Sequence, residues 1–308
     1  MLDQRTRVAA IDCGTNSIRL LVSDVGEDHK VDLVREMRIV RLGAGVDETG
    51  HLAQEAIDRT LQATRAYAEL IAMFGATEVR FCATSAVRDA DNAADFEDAI
   101  EGILGVRPVV LAGLDEARAS FLGATRDLER VRTLVVDIGG GSTELVVGTG
   151  EDIEWSVSLD VGSVRLTERF LSSDPASVAE VTACMHYLDG ILAPVVGHLD
   201  PVGSFVGVAG TITTVAAHSL ALPSYDAATI HGAKLALDDV RAACLSLVRM
   251  SVADRRALPF MHPGRADVIG AGALILDRLI DLVPLSTDTM VASEHDILDG
   301  IAWDIVRV

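Results

Sequence analysis

Residues 8–22, VAAIDCGTNSIRLLV, return 125 positions later as residues 133–147, TLVVDIGGGSTELVV. Under that offset Asp12 falls on Asp137, Gly14 on Gly139, Ser17 on Ser142, Leu20 on Leu145 and Val22 on Val147. In both copies an apolar run enters the aspartate and another leaves the serine. A repeat at fixed offset is one supersecondary unit used twice, so both copies are expected to fold alike.

The flanks agree with that expectation. Apolar, β-branched runs predict strands over 8–13, 17–23 and 31–40, and again over 133–137, 143–148 and 152–158. In the first half there follow helix 53–74, strand 78–82, helix 92–104, strand 107–111 and helix 114–125. In the second half a helical pattern runs across 161–197, then strand 204–208 and helix 211–220. Helices across 238–257 and 264–282, strand 287–291 and helix 296–306 complete it. Each half is a three-strand meander followed by alternating helices and strands. That order predicts an α/β fold of two duplicated domains, each a mixed sheet flanked by helices. The polar stretch TRDLERVR sets the boundary, giving domains over 1–125 and 126–308. No low-complexity linker intervenes, so the two are expected to pack around a shared cleft.

The spacing within each copy has a chemical reading. An aspartate ending a strand sits at the sheet edge where α/β proteins commonly bind ligands. Glycines directly after it turn the chain tightly and let a phosphate approach the amides with no Cβ in the way. Neither loop is GxxxxGK[ST], and each returns at once to strand, so the P-loop and dinucleotide fingerprints fail on context. Read alone, Gly139, Gly140 and Gly141 are equally a hairpin turn. The duplication favours the phosphate reading, with Gly14, Thr15, Asn16 and Ser17 as the first loop and Gly139 to Ser142 as the second. Asp12 and Asp137 beside one polyanion would repel it and each other, which implies a cation, best matched by Mg²⁺.

Other residues stay open on sequence grounds. Asp115 and Glu116 open a helix, where acidic residues are favoured in any case, yet Glu116 could also position a water. Glu144 shares the strand face of Ser142, where a carboxylate is either solvated or turned to ligand. Arg88, in TSAVRDA, is either a solvated loop residue or a phosphate clamp, with Ser85 a second donor. Gly210 and Thr211 mark a strand-to-helix junction whose amides suit an anion, although Thr211 could simply cap the helix. His231, His262 and Arg265 could line a channel for a longer anion or merely flank helices.

Composition narrows the classes. The chain has 46 acidic against 26 Lys and Arg residues, a formal charge of −20, which disfavours nucleic acid as a partner. The four cysteines, Cys13, Cys82, Cys184 and Cys244, form no CxxC pair, which argues against zinc or disulfides and suits a reducing, cytoplasmic setting. No apolar run has the length of a membrane span, and MLDQRTR leads straight into a strand pattern rather than a signal sequence.

Seven stretches in order resemble the exopolyphosphatase / guanosine pentaphosphate phosphohydrolase family, within the superfamily of actin, sugar kinases and heat-shock ATPases. DCGTNSIRLLV and DIGGGSTELVVG resemble its two phosphate loops, ATSAVRDADN its arginine loop, and AGLDEARASFLG its catalytic-carboxylate helix. SLDVGSVRLTERF, GVAGTITTVAA and SEHDILDGI also match. The resemblance implies a duplicated actin-like fold with its active site in the cleft between domains, and Mg²⁺-dependent release of terminal phosphate from inorganic polyphosphate. The alternative is 5′-phosphohydrolysis of guanosine pentaphosphate, with guanosine tetraphosphate a further ligand; more distant readings are a superfamily kinase or ATPase and a non-catalytic alarmone-binding regulator. The resemblance assigns Glu116 as base, Glu144 to water or metal, Asp12 and Asp137 to the cation, and the two loops, Ser85, Arg88, Gly210 and Thr211 to phosphate. Asp115 departs from a position that is often Glu. Other divalent ions, or an added monovalent one, are alternatives to Mg²⁺, and a homodimer is the common family state. Many members continue beyond the point matching Val308 into a helical region, which gives the expectation of a preference for shorter chains.

Overall fold

The computed structural model describes residues 5–27 and 29–306; the first four residues of MLDQRTR lie outside them. The chain divides into two compact units, Met1–Gly123 with Asp296–Val308, and Ala124–His295.

The first unit is built on β1 (Thr6–Cys13), β2 (Ser17–Val25), β3 (Lys30–Ile39), β4 (Glu78–Ala83) and β5 (Val109–Val110). Their order in the sheet is β3-β2-β1-β4-β5, with β1 antiparallel to β2 and parallel to β4. The connections are α1 (Val46–Thr49), α2 (Gln54–Phe74), α3 (Ser85–Arg88), α4 (Ala93–Leu104) and α5 (Gly113–Thr125). Burial of both faces explains why β1 is apolar from Val8 to Cys13 except at Asp12. Ala9, Ile11 and Cys13 join the core that includes Tyr67 and Phe96 from α2 and α4, while Val8 and Ala10 enter a second core on the opposite face. The Tyr67 hydroxyl donates to the Ile18 carbonyl at 3.0 Å and ties α2 to β2.

The second unit repeats the plan with β6 (Arg132–Ile138), β7 (Thr143–Thr149), β8 (Asp152–Leu159), β9 (Ser204–Val208), β10 (Ala233–Ala236) and β11 (Thr289–Ala292). Their order, β10-β11-β9-β6-β7-β8, reproduces the first sheet with β10 added at the edge. The duplication extends to an irregularity: β2 and β3 shift register between Val22 and Ser23, and β7 and β8 between Val147 and Gly148. Those bulges are separated by the same offset as the loops. The unit carries α6 (Ser163–Phe170), α7 (Val178–Val196), α8 (Ala209–Ser219), α9 (Ala227–Ile230), α10 (Leu237–Arg249), α11 (Val252–Ala257) and α12 (Ile269–Leu282). The helical pattern expected across 161–197 is two helices, interrupted at SSDPAS, and that expected from 264 begins at Ile269. Helix α12 is buried along most of its length and forms the centre of this unit's core.

The last helix, α13 (Ile297–Ile305), belongs to the first unit, not to 126–308 as the sequence reading has it. The reason is burial: Ile297, Leu298, Ile301, Ala302 and Trp303 cover the second face of the first sheet, against Val8, Ala10, Leu21 and Cys82. Without α13 that apolar face would meet water, at about 25 cal/mol for each Å² uncovered. The four cysteines are buried and unbridged, and no helix among the described residues is long and apolar enough to cross a membrane.

Candidate active site

In the first unit the predicted residues collect at the carboxyl ends of β1 and β4. The loop 14–17 is a hairpin tip closed by Cys13 opposite Ile18, with the Gly14 amide donating to the Ser17 carbonyl at 2.9 Å. Its other carbonyls turn onto the protein. Thr15 O accepts from Gly43 N at 2.9 Å, and Asn16 O from Val40 N at 3.0 Å and Arg41 N at 2.9 Å. In a trans peptide the next N–H points opposite to the carbonyl, so the amides of Asn16 and Ser17 face away from that contact, as an anion nest requires. The fit is close: a Cβ on Gly43 would lie 2.4 Å from Thr15 Cγ2. Thr15 Oγ1 and Ser85 Oγ share a hydrogen bond of 2.9 Å, which joins the loop to α3.

Arg88 and Glu116 meet directly. Arg88 Nη1 donates to the Leu111 carbonyl at 2.8 Å and to Glu116 Oε2 at 3.1 Å, so the guanidinium is held by backbone as well as by the carboxylate. Glu116 is buried on α5, between Ala117 and Phe121 in the core and the Arg88 fork. A helix-favouring role alone would leave such a side chain in water.

Asp12, almost wholly buried, accepts from Arg19 Nε at 3.0 Å and Nη2 at 2.7 Å, both on Oδ2. Its Oδ1 is buried with no hydrogen-bond partner among the described residues. Burial pushes the Asp12 carboxyl above its usual range; Arg19 pulls it down without prevailing, and Asp296 adds to the rise. Arg19 was not singled out from sequence, because nothing local marks it as the partner of a residue seven positions back.

The second unit repeats the hairpin. Gly139 N donates to Ser142 O at 3.0 Å, and Ile138 stands opposite Thr143. The carbonyls of Gly139 and Gly140 accept from the amides of Ser163 and Val164 at 3.0 and 2.8 Å, and Gly141 O from Arg165 Nε at 2.9 Å. All three thus face α6, and the amides of Gly140, Gly141 and Ser142 point the other way. Gly162 permits this approach, since a Cβ there would lie 2.4 Å from Gly140 C and O. Asp137 and Glu144 are paired directly across β6 and β7, both buried, and Ser158 Oγ donates to Glu144 Oε1 at 2.7 Å. Like charges placed opposite one another on a sheet destabilise it.

At α8 the helix starts at Ala209 with φ of 67°, a strained value for a residue with a Cβ, and Val208 supplies no side-chain cap. Thr211 is not the cap either; it is buried against α12, where a Cβ on Gly272 would lie 2.6 Å from its Oγ1. Arg265 covers Gly210, so closely that a Cβ there would be 2.4 Å from Nη2, and its Nη1 donates to Thr214 Oγ1 at 3.0 Å. His231 accepts from Glu294 N at 3.3 Å and its ring packs on His295, with centroids 4.3 Å apart. His262 accepts from Gly264 N at 3.1 Å, as a loop-ordering residue would.

Residues 21–307 match the Ppx/GppA phosphatase family. The chain belongs to that family. It is 46% identical over 317 aligned residues to Exopolyphosphatase 2 of Mycobacterium tuberculosis, covering 97% of this chain and 98% of that protein. The crystal structure of an exopolyphosphatase-like protein superposes with a TM-score of 0.92 at 39% identity, covering 97% of each chain. The Ppx/GppA protein of Aquifex aeolicus superposes with a TM-score of 0.84 at 31% identity, over 99% of this chain and 98% of the other. Two mixed sheets flanked by helices are thus a Ppx/GppA architecture, as the duplicated actin-like reading implies.

Proposed function

We propose that this Ppx/GppA protein is an exopolyphosphatase, removing the terminal phosphate of inorganic polyphosphate by attack of a water held at Glu116. Family membership and the names of its relatives make it a phosphoanhydride hydrolase. The observation that carries the reading further is the Arg88–Glu116 pair: one guanidinium, fixed by the Leu111 carbonyl, stands beside a buried carboxylate able to accept a proton. Phosphoryl transfer asks little covalent chemistry of a protein. It needs a positioned water and neutralised oxygens.

In this reading Glu116 accepts the proton of the attacking water and Arg88 draws a terminal phosphoryl oxygen to it. Thr15, Ser85 and the amides of Asn16 and Ser17 are suited to phosphate oxygens at the first loop, and the amides of Gly140, Gly141 and Ser142 are suited to them at the second. Gly210 and Thr211 would border the remainder of the polyanion. Asp137 and Glu144 fit a divalent cation because they are adjacent and buried carboxylates. Two carboxylates are enough for Mg²⁺, an ion that takes one or two and fills its shell with water and phosphate. Asp12 offers its unpartnered Oδ1 as a further acceptor. When bound, the ion would neutralise charge on the transferred group.

The test is phosphate release from polyphosphate, with guanosine pentaphosphate assayed beside it, by wild type and Glu116→Gln. The expected result is release from polyphosphate, falling by about 10²-fold or more in the variant. Undiminished release by Glu116→Gln would overturn the mechanism, and exclusive use of guanosine pentaphosphate would overturn the substrate.

A further inference from the structure

The stretch SEHDILDGI has no part in the reaction just described, yet it places a buried carboxylate against the first phosphate loop's aspartate. Asp296 is 3% exposed. One of its oxygens, Oδ1, caps α13 by accepting from Leu298 N at 3.0 Å. The other, Oδ2, accepts from Arg19 Nη1, while Nε and Nη2 of the same guanidinium are committed to Asp12 Oδ2. Arg19 is therefore gripped from both sides, and Asp12 is left with a single free oxygen. We propose that Asp296 is a positioning residue for the phosphohydrolase reaction, acting through Arg19 on Asp12; this rests on the function proposed above.

Two features show that the arrangement is more than a helix cap. A cap needs one oxygen, and asparagine or serine would supply it as well as aspartate. The second oxygen goes to the residue that orients Asp12. The Asp296 N–H donates to Asp299 Oδ2 at 3.1 Å, which completes the capping box, and Asp299, 1% exposed, takes Arg35 Nη2 at 2.6 Å and Lys30 Nζ at 3.0 Å. Finally, α13 is locked to the helix that bears Glu116. A Cβ on Gly123 would lie 1.9 Å from Asp296 O, and one on Gly300 would lie 2.0 Å from Ala119 O. The start of α13 thus supports Asp12 by a side chain and α5 by backbone contact. Burial opposes the charge on Arg19, but Asp296 and Asp12 outweigh it and keep the guanidinium ionised.

Asp296→Asn and Asp296→Ser separate the two roles. Asparagine replaces one of the two oxygens by an NH2 that cannot accept, so it loses either the cap or the Arg19 contact; serine can cap and does not reach. A cap alone predicts wild-type turnover in both variants. Positioning predicts kcat lower by about 10-fold or more in each, with KM changed far less, because a shifted group costs turnover rather than binding. Combining Asp296→Asn with Arg19→Lys should cost no more than the worse single change. Wild-type kcat in both variants, or losses that multiply, would overturn the proposal. A crystal structure of Asp296→Asn reads the positioning without any substrate: Arg19 displaced from Asp12 Oδ2 is expected, and both bonds left intact refutes it. Should the wild type release no phosphate from polyphosphate, the functional reading fails while that structure still decides the role of Asp296.

Discussion

Asp137 stands directly opposite Glu144 across β6 and β7, whereas the same register in the first repeat sets Asp12 opposite Arg19. Duplication preserved the backbone and reversed one charge. The first copy sets a guanidinium beside its aspartate; the second sets two buried carboxylates side by side. Under the proposed function, this asymmetry makes the second copy the expected place of the cation. Glu144→Gln should then stabilise the metal-free protein by up to about 1 kcal/mol, the size of a relieved cross-strand repulsion. It should also shrink the rise in melting temperature that Mg²⁺ gives the wild type, since that rise reports binding to the folded state. Calorimetry with and without Mg²⁺ checks both, and an undiminished Mg²⁺ shift would remove Glu144 from the site.

Gly162 is the backbone contact that sets the second loop. Alanine there would meet Gly140 C and O at 2.4 Å, so the loop or α6 must move. Overpacking of this kind costs about 1–3 kcal/mol. Gly162→Ala should lose most phosphate release while remaining folded. Gly190→Ala is the control: it lies within α7 with open space around it, and should be neutral or more stable by up to about 1 kcal/mol.

Asp12 gives a pH dependence of definite sign. Its carboxyl is raised in the folded state, first by burial, so the folded chain holds that proton more tightly than the unfolded one. The stability this contributes is complete below the ordinary aspartate value of about 3.9 and is lost as pH rises through the raised value. Asp12→Asn stays neutral throughout. Its melting temperature relative to wild type should climb across that window and then level off, while phosphate release falls. A difference independent of pH would show that ionised Asp12 costs the fold nothing.

Arg88 is shared between the Leu111 carbonyl and Glu116. The compact ammonium of lysine does not reproduce the planar fork that spreads arginine's donors over a carbonyl, a carboxylate and a phosphate. Arg88→Lys should therefore raise KM for polyphosphate and lower kcat, by about 10-fold or more in kcat/KM, read from initial rates. A change in neither would return Arg88 to a purely structural role.

The repeat, and with it most of the architecture, is legible in local sequence. Alternating and β-branched runs fix strands through local backbone sterics, and the five matched positions in each copy carry the loop geometry. The family resemblance was equally local, spread over short motifs. What only tertiary structure decided lies in contacts between distant segments. Helix α13 reads as the end of the second half, yet it returns to the first because an apolar sheet face needs cover there. Arg19 and Asp296 are 277 positions apart and carry no signal of each other until the helix docks. The reversal from Arg19 to Glu144 was visible as letters, but only strand register makes each of them the partner of an aspartate. Local patterns report propensity; pairing of charges is set by where the whole chain places them.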